Sequence, residues 1–375
     1  MPMTIRERMK AVYVGKQPDQ VPYILDLSHY YYDKYKKPWL LLNSYVEPER
    51  EMIDFHRQHG AGFFVPNQMK LYDLHYDDGV KSDAWIEKVN GNPETHWRFE
   101  TPLGAIERIR VWSEQSYSWP IKKYGVETEE DIRILAYAMG ARRFTPAPGL
   151  YSAWEDYVGD DGMTYLSLGL SAMGYLMHYW MGLENTVFAC YEWNETVHDA
   201  IDRINASNLD CLKMLMGYSG YVVIIGDNFS TDCQPPDFFA EWSAKFYRQA
   251  ADIIHDNGKK LAVHIDGQLG GSIKMIKDIG ADIIDAVTPK PMFDLTPQEC
   301  RDEAGDGLIL SGGVPPTLWL PDVPVAKFEQ SVMEWLELKH RSPALIASAG
   351  DQAPPRLDEK RIGIMRRLID EHGRY

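Results

Sequence analysis

Cysteine is scarce in this 375-residue chain, and the four present (Cys190, Cys211, Cys233 and Cys300) are scattered, with no CxxC pair. That spacing excludes zinc-ribbon and disulfide frameworks and fits a reducing compartment. Positive charge is also in deficit, with 39 Lys and Arg against 55 Asp and Glu for a net charge of −16. A nucleic-acid partner needs a basic face and is not expected. No stretch approaches the ~18 apolar residues of a membrane span. The opening segment, Met1 to Lys10, reads as a charged amphipathic helix without a signal peptide's apolar core, so the expected location is cytoplasmic. Repeats, low-complexity tracts and linkers are missing too, and residues 1–375 are expected to form a single domain.

The hydrophobic content of 45% and charged content of 25% leave room for a large core. Short runs that are apolar on both faces alternate with helical stretches through the second half. Strands are expected at Tyr221–Gly226, Lys260–His264, Asp282–Ala286, Leu308–Leu310 and Ala344–Ala347. Helices are expected from about Asp237 to Asn257, through Lys277, from Thr296, from Val325 to Leu338 and from Asp358 to Glu371. Strands apolar on both faces imply a parallel sheet covered by helices. Tyr23–Leu27, Gly62–Val65 and Met163–Ser167 bring the number to eight, and the expected fold is an α/β (β/α)8 TIM barrel. Between strands two and three, about residues 80–150 read as an inserted antiparallel excursion turning at Thr101-Pro102-Leu103-Gly104, a lid or the contact of a homodimer.

In such barrels the chemistry sits just past the strands' C-terminal ends. Strand five ends Leu261-Ala262-Val263-His264-Ile265-Asp266-Gly267-Gln268, and residues i and i+2 of a strand share a face, so His264 and Asp266 can converge on one point. The other strand ends supply Asp26 and His29, Asn67 and Gln68, Asp227 and Asn228, Asp285 and Thr288, Ser311-Gly312-Gly313, and Ser348 through Asp351. A rim of acids, imidazoles and amides suits a divalent metal or acid/base work. Plainer roles compete: Asp227 can form a turn after Gly226, Asp285 reads better as a helix cap, and Gly312-Gly313 lacks a full phosphate fingerprint. His178 reads as a packed helix residue. Eleven Trp and 22 Tyr include His29-Tyr30-Tyr31-Tyr32. Most such rings are core or interface anchors, while some can wall a cavity for a flat organic substrate.

Several short segments, in order and at matching spacing, resemble the uroporphyrinogen decarboxylase superfamily, and within it the corrinoid-dependent methyltransferases. They are Arg6-Glu7-Arg8 with Gln17-Pro18-Asp19-Gln20-Val21-Pro22, Thr101-Pro102-Leu103-Gly104, Gly182-Leu183-Glu184-Asn185, Gly226-Asp227-Asn228, His264-Ile265-Asp266-Gly267, Gly280-Ala281-Asp282 and Gly312-Gly313-Val314. The resemblance implies a (β/α)8 barrel. It also implies zinc, which those methyltransferases hold with an H-x-C-G segment after strand five and a second Cys after strand eight. Here His264 matches, Asp266 replaces the first Cys, and Asp351 falls near the second. The implied metal ligands are therefore His264, Asp266 and Asp351, with Asp227 beside His264 and Asp266 among the catalytic residues. His29, Tyr30, Asn67, Gln68 and Asn228 are the implied substrate contacts.

Imidazole and carboxylate are harder ligands than thiolate and leave zinc a better Lewis acid towards oxygen. The expected reaction is removal of a methyl group from an oxygen- or nitrogen-bearing donor, such as an aryl methyl ether, with cobalt(I) of a corrinoid as acceptor. The base-off corrinoid motif D-x-H-x-x-G has Ala262 in place of its Asp, so the corrinoid (cobalamin) is expected on a separate partner protein. Two alternatives stand beside this. A uroporphyrinogen-type decarboxylase would need N-terminal arginines and an Asp after strand two, where this chain has Ser28-His29-Tyr30-Tyr31-Tyr32 and Asn67. A non-catalytic small-molecule-binding barrel would explain the Cys-to-Asp departures as loss of the metal.

Overall fold

The computed structural model describes residues 2–36, 42, 48–65 and 71–375. Six parallel strands pair in sequence order: Leu166–Gly169, Val222–Phe229, Lys260–Ile265, Ile283–Val287, Ile309–Gly313 and Leu345–Ser348. Strand three is longer than its paired part: its first half, Gly162–Thr164, pairs with strand two, Phe63–Val65. Strand one is reduced to Tyr23 and Ile24, which bridge Ala347 on one side and Gly62 on the other. Four backbone hydrogen bonds make these joins: Ala347 N to Pro22 O at 2.9 Å, Ile24 N to Ala347 O at 3.1 Å, Gly62 N to Tyr23 O at 2.9 Å and Leu25 N to Gly62 O at 3.1 Å. This is the eight-stranded α/β barrel expected from the sequence. Strand two approaches strand three closely at Gly162, where a Cβ would stand 1.7 Å from the Phe63 carbonyl oxygen.

The side chains inside the barrel change character with height. Ile24, Ile224, Ala262, Ile283 and Ile346 fill the lower interior, sealed from below by Met9 and Tyr13 of the first helix, Ile5–Tyr13. Two residues further along, on the same face, stand Asp26, His264, Asp285 and Ser348. The period of two therefore builds an apolar floor and a polar mouth from the same strands. A second apolar layer, with Val223, Ile225, Val263 and Leu310, packs outward against the helices.

The outer elements depart from expectation in two places. The single helix expected over 237–257 is two, Pro236–Trp242 and Ala244–Asp256. Ser243 sits between them with φ −124° and donates its hydroxyl to Gln234 Oε1 at 2.5 Å. The excursion begins earlier than residue 80, with Tyr72–Tyr76 pairing antiparallel to Arg142–Pro146. Its four-stranded antiparallel sheet, 81–123, is backed by a helix the alternation hid, Glu129–Gly140. No helix among the described residues is long and apolar enough to cross a membrane.

Candidate active site at the barrel mouth

The mouth is built around one pair of neighbouring strands. His264 of strand five and Asp285 of strand six are register partners, and His264 Nδ1 lies 2.9 Å from Asp285 Oδ2. Both side chains are largely buried, 15% and 9% exposed, which keeps the interaction from being screened by solvent. Burial by itself would depress the imidazole's pKa. The hydrogen bond and charge of Asp285, joined by the charges of Asp351 and Asp266, instead raise it to about 9. Asp351, after strand eight, has its carboxyl pushed up by burial and by the like charges of Asp266 and Asp26, against the opposing pull of His264.

Asp26, Asn228, His264, Asp285, Ser348 and Asp351 line one cavity at this end of the barrel. Asp26 is oriented by the Ser28 amide, 2.9 Å from its Oδ1. Two of the lining residues hold left-handed backbone conformations, Asn228 at φ +47° and Ala286 at φ +67°. Each sits at a register shift, between Ile225 and Phe229 in strand four and between Ile284 and Val287 in strand six. Bulges at strand ends re-aim side chains beside functional sites, and non-glycine residues in this region persist only where the surroundings enforce them. Gly312 and Gly313 serve packing: Cβ atoms there would stand 2.1 Å from the Val287 carbonyl oxygen and 2.5 Å from the Trp335 ring.

The expected site residues separate. His264 and Asp351 line the cavity, and half-buried Asp266 is in electrostatic contact with both. Asn228 faces the cavity. Its neighbour Asp227, expected among the catalytic residues, is fully buried and outside the lining, with both oxygens taken. Its Oδ1 accepts from the Ser171 amide at 2.7 Å, while Oδ2 accepts from the Ser171 hydroxyl and, at 2.6 Å, the Tyr247 hydroxyl. Asp227 thus fixes the loop after strand three. Tyr30, expected to contact substrate, is buried with its hydroxyl on Glu359, and the ammonium of Lys34 lies 5.6 Å from its ring centroid. His29 stands on the helix Ser28–Lys34 near Asp26, its pKa lowered by burial against the pull of that carboxylate. Asn67 and Gln68 lie outside the described residues.

Of the residues read as structural, one is placed differently and one as expected. Asp285, read as a helix cap, is the strand residue that holds His264. His178, read as a packed helix residue, is packed on a π-helical turn, Tyr175–Trp180, against the backbone carbonyl of Asp227 and within reach of Asp266's charge. Burial lowers its pKa, which those two acids oppose. Such turns recur at functional sites but have no sequence signature.

A carboxylate-held imidazole with further carboxylates in the same mouth offers the nitrogen and oxygen donors that zinc accepts. The donor types therefore fit zinc. Their spacing is wider: among the described residues no three His, Cys, Asp or Glu groups stand together at metal-holding distance.

The model of the uroporphyrinogen decarboxylase (URO-D) family matches residues 170–372, more than half of the chain. No curated protein matches the sequence. Among solved structures, a methyltransferase from Methanosarcina mazei is similar over 98% of this chain and 99% of its own, at 14% identity and a TM-score of 0.62. At that identity the likeness is one of fold. The D-psicose 3-epimerase from Clostridium cellulolyticum H10 overlaps 60% of this chain and 82% of its own, with 12% identity and a TM-score of 0.36.

Proposed function

This chain belongs to the uroporphyrinogen decarboxylase (URO-D) family, and we propose that within it the protein is a methyltransferase. It takes a methyl group from a methoxylated aromatic or another small donor and delivers it to the cobalt of a corrinoid held on a separate protein. The observation that carries this reading is the His264–Asp285 pair at the mouth, with Asp351 and Asp266 around it. The whole-length fold neighbour, itself a methyltransferase, supports the same class.

Asp285 fixes the imidazole by Nδ1 and leaves Nε2 for a ligand. His264, Asp266 and Asp351, drawn closer together than they stand here, would hold zinc, which when bound supplies Lewis acidity towards the donor's oxygen. To bind a cation, His264 must first release its proton, so the acids that now stabilise the imidazolium become ligands or orienting groups. Asn228 and Asp26 face the cavity beside them and orient the donor. A cavity walled by Asp26, Asp285 and Asp351 is a poor receptor for a polycarboxylate porphyrinogen, which argues against the decarboxylase alternative. Ala262, where a corrinoid-binding chain carries Asp, is fully buried in the barrel floor, consistent with a corrinoid that arrives on a partner.

Metal analysis of the purified protein tests this. About one equivalent of zinc is expected, lost together with methyl transfer in His264→Ala. A zinc-replete and fully active His264→Ala variant would overturn the assignment.

A further inference from the structure

Away from the mouth cluster, two arginines stand on one face of a strand with no ion-pair partner among the described residues. In the excursion sheet the strand Gly104–Val111 pairs antiparallel with Asn92–Thr101. Residues 106, 108 and 110 share a face, and that face lies on the π-helical turn after barrel strand three. Its apolar end is anchored there by Phe99 stacked on Trp180, with centroids 5.2 Å apart. Arg108 is 7% exposed, its guanidinium carbon 4.3 Å from the ring centroid of Trp97, 4.6 Å from Tyr179 and 5.0 Å from Trp180. Half-buried Arg110 lies over the same Tyr179 ring at 4.6 Å. Nε and Nη1 of Arg108, and Nε of Arg110, are buried without an acceptor among the described residues.

The contrast with the other buried arginines decides how this is read. Arg301 donates to three backbone carbonyls, of Gly305, Leu308 and Ala344, at 2.6 to 2.9 Å. Arg361 donates to the carbonyls of Leu318 and Val323, and Arg142 to Met139 O and Asn208 Oδ1, both at 2.8 Å. Those guanidiniums are structural ties held by backbone or amide oxygens, although Nε of Arg301 and of Arg361 is also left without an acceptor among the described residues. What sets Arg108 apart is that it has no such hydrogen bond among them and that its Nη1 is open as well. Arg108 has π faces on its sides and a like charge beside it. Carboxylates are not scarce, since the chain holds 55 acids against 39 bases, yet among the described residues none pairs with Arg108. Burial, with Arg110 adding to it, lowers the Arg108 pKa to about 9, the mark of a cation short of compensation.

We propose that Arg108 and Arg110 form an oxyanion-binding site for the carboxylate or phosphate of a small ligand with a flat apolar body. The planar guanidinium fork matches such groups in bidentate fashion along an edge, so an oxyanion there takes up one of the open Arg108 donors together with Nη2. Trp97 and Tyr179 flank the guanidiniums and are half-buried, so their remaining ring surface is what a flat body would contact, whereas Trp180 is 4% exposed and already stacked on Phe99. The turn that supplies Tyr179 also carries His178, which is in electrostatic contact with Asp227 and Asp266. The inference is independent of the methyl-transfer reading: it concerns what the excursion binds, whatever reaction the mouth performs.

Thermal unfolding of the full chain with inorganic phosphate, with benzoate, and with chloride at matched ionic strength is the test. A ligand that binds the folded state raises the midpoint with saturable dependence on its concentration. The expected result is a saturable rise with phosphate or benzoate and none with chloride, the larger response identifying the anion class. Arg110→Gln, at a half-buried position, should weaken the apparent affinity at least tenfold. Arg108→Met, similar in volume and uncharged, should abolish the response while leaving the anion-free midpoint equal or higher. No saturable rise with either oxyanion, or an Arg110→Gln variant responding as the parent does, would overturn the proposal. So would a lowered anion-free midpoint in Arg108→Met, which would make that guanidinium a structural cation–π tie.

Discussion

At His264 one hydrogen bond determines what the imidazole can do: Nδ1 is committed to Asp285 at 2.9 Å, and the remaining nitrogen is the one available in the mouth. The place of His264 was legible in the sequence, at the end of an apolar run whose period of two turns it into the barrel. Asp266, expected to share its face, lies one residue past the strand and outside the cavity lining. Asp285 was not legible, because its role depends on the register between strands five and six, which sets it opposite His264. Asp227 shows the reverse error, an acid at a strand end whose partners, Ser171 and Tyr247, lie 56 and 20 residues away and take it out of the cavity. Asp285→Asn keeps the shape and removes the charge that orients the ring. Outer-shell changes of this kind lower metal affinity or activity by about 10–100-fold. Zinc titration of the variant is expected to show a loss in that range with an unchanged unfolding midpoint.

Among the elements, the barrel strands were the clearest in the sequence. Each is a short run buried on both faces and punctuated by Gly or Pro, and parallel sheets under helices demand that pattern. The excursion is readable as antiparallel from its alternation and its Thr101-to-Gly104 turn, a pattern that masks the helix Glu129–Gly140 that follows. Its signal was present: Thr128 caps it, the Thr128 hydroxyl accepting from the Asp131 amide while the Asp131 carboxylate accepts from the Thr128 amide at 3.0 Å. The π-helical turn Tyr175–Trp180 had no such signal, and with it went the aromatic surroundings of Arg108. Losing an N-cap of this type costs about 0.5–2 kcal/mol. Thr128→Ala is therefore expected to lower stability by about that amount in chemical denaturation, without changing zinc content.

On the scale of the whole molecule, the ends of the chain must be fastened to keep the ring closed, since strand one contributes so little pairing. Glu359, at the N-cap of the last helix, Lys360–His372, does part of this. It receives Tyr30 and Lys34 from the helix after strand one and lies 3.1 Å from His59 Nε2. Burial would raise its carboxyl pKa, but the hydrogen bonds from Lys34, Tyr30 and His59 hold it down at about 2, below the ordinary 4.5. A folded-state pKa below the unfolded one contributes stability that is fully present above the unfolded value and lost as pH falls through the folded one. Glu359→Gln is expected to be less stable than the parent at neutral pH. The gap should close between about pH 4.5 and pH 2, as read from parallel acid-unfolding curves.

The mouth of that closed ring is where the account stands or falls. The most direct measurement is anaerobic turnover of the zinc-loaded protein with cob(I)alamin and a methoxylated aromatic donor, following methyl–cobalt bond formation. The account predicts donor-dependent methylation of cobalt by the parent protein and none by His264→Ala. A folded, zinc-loaded protein that methylates no cobalt from any methoxylated donor, or equal rates with and without the His264 imidazole, would contradict it.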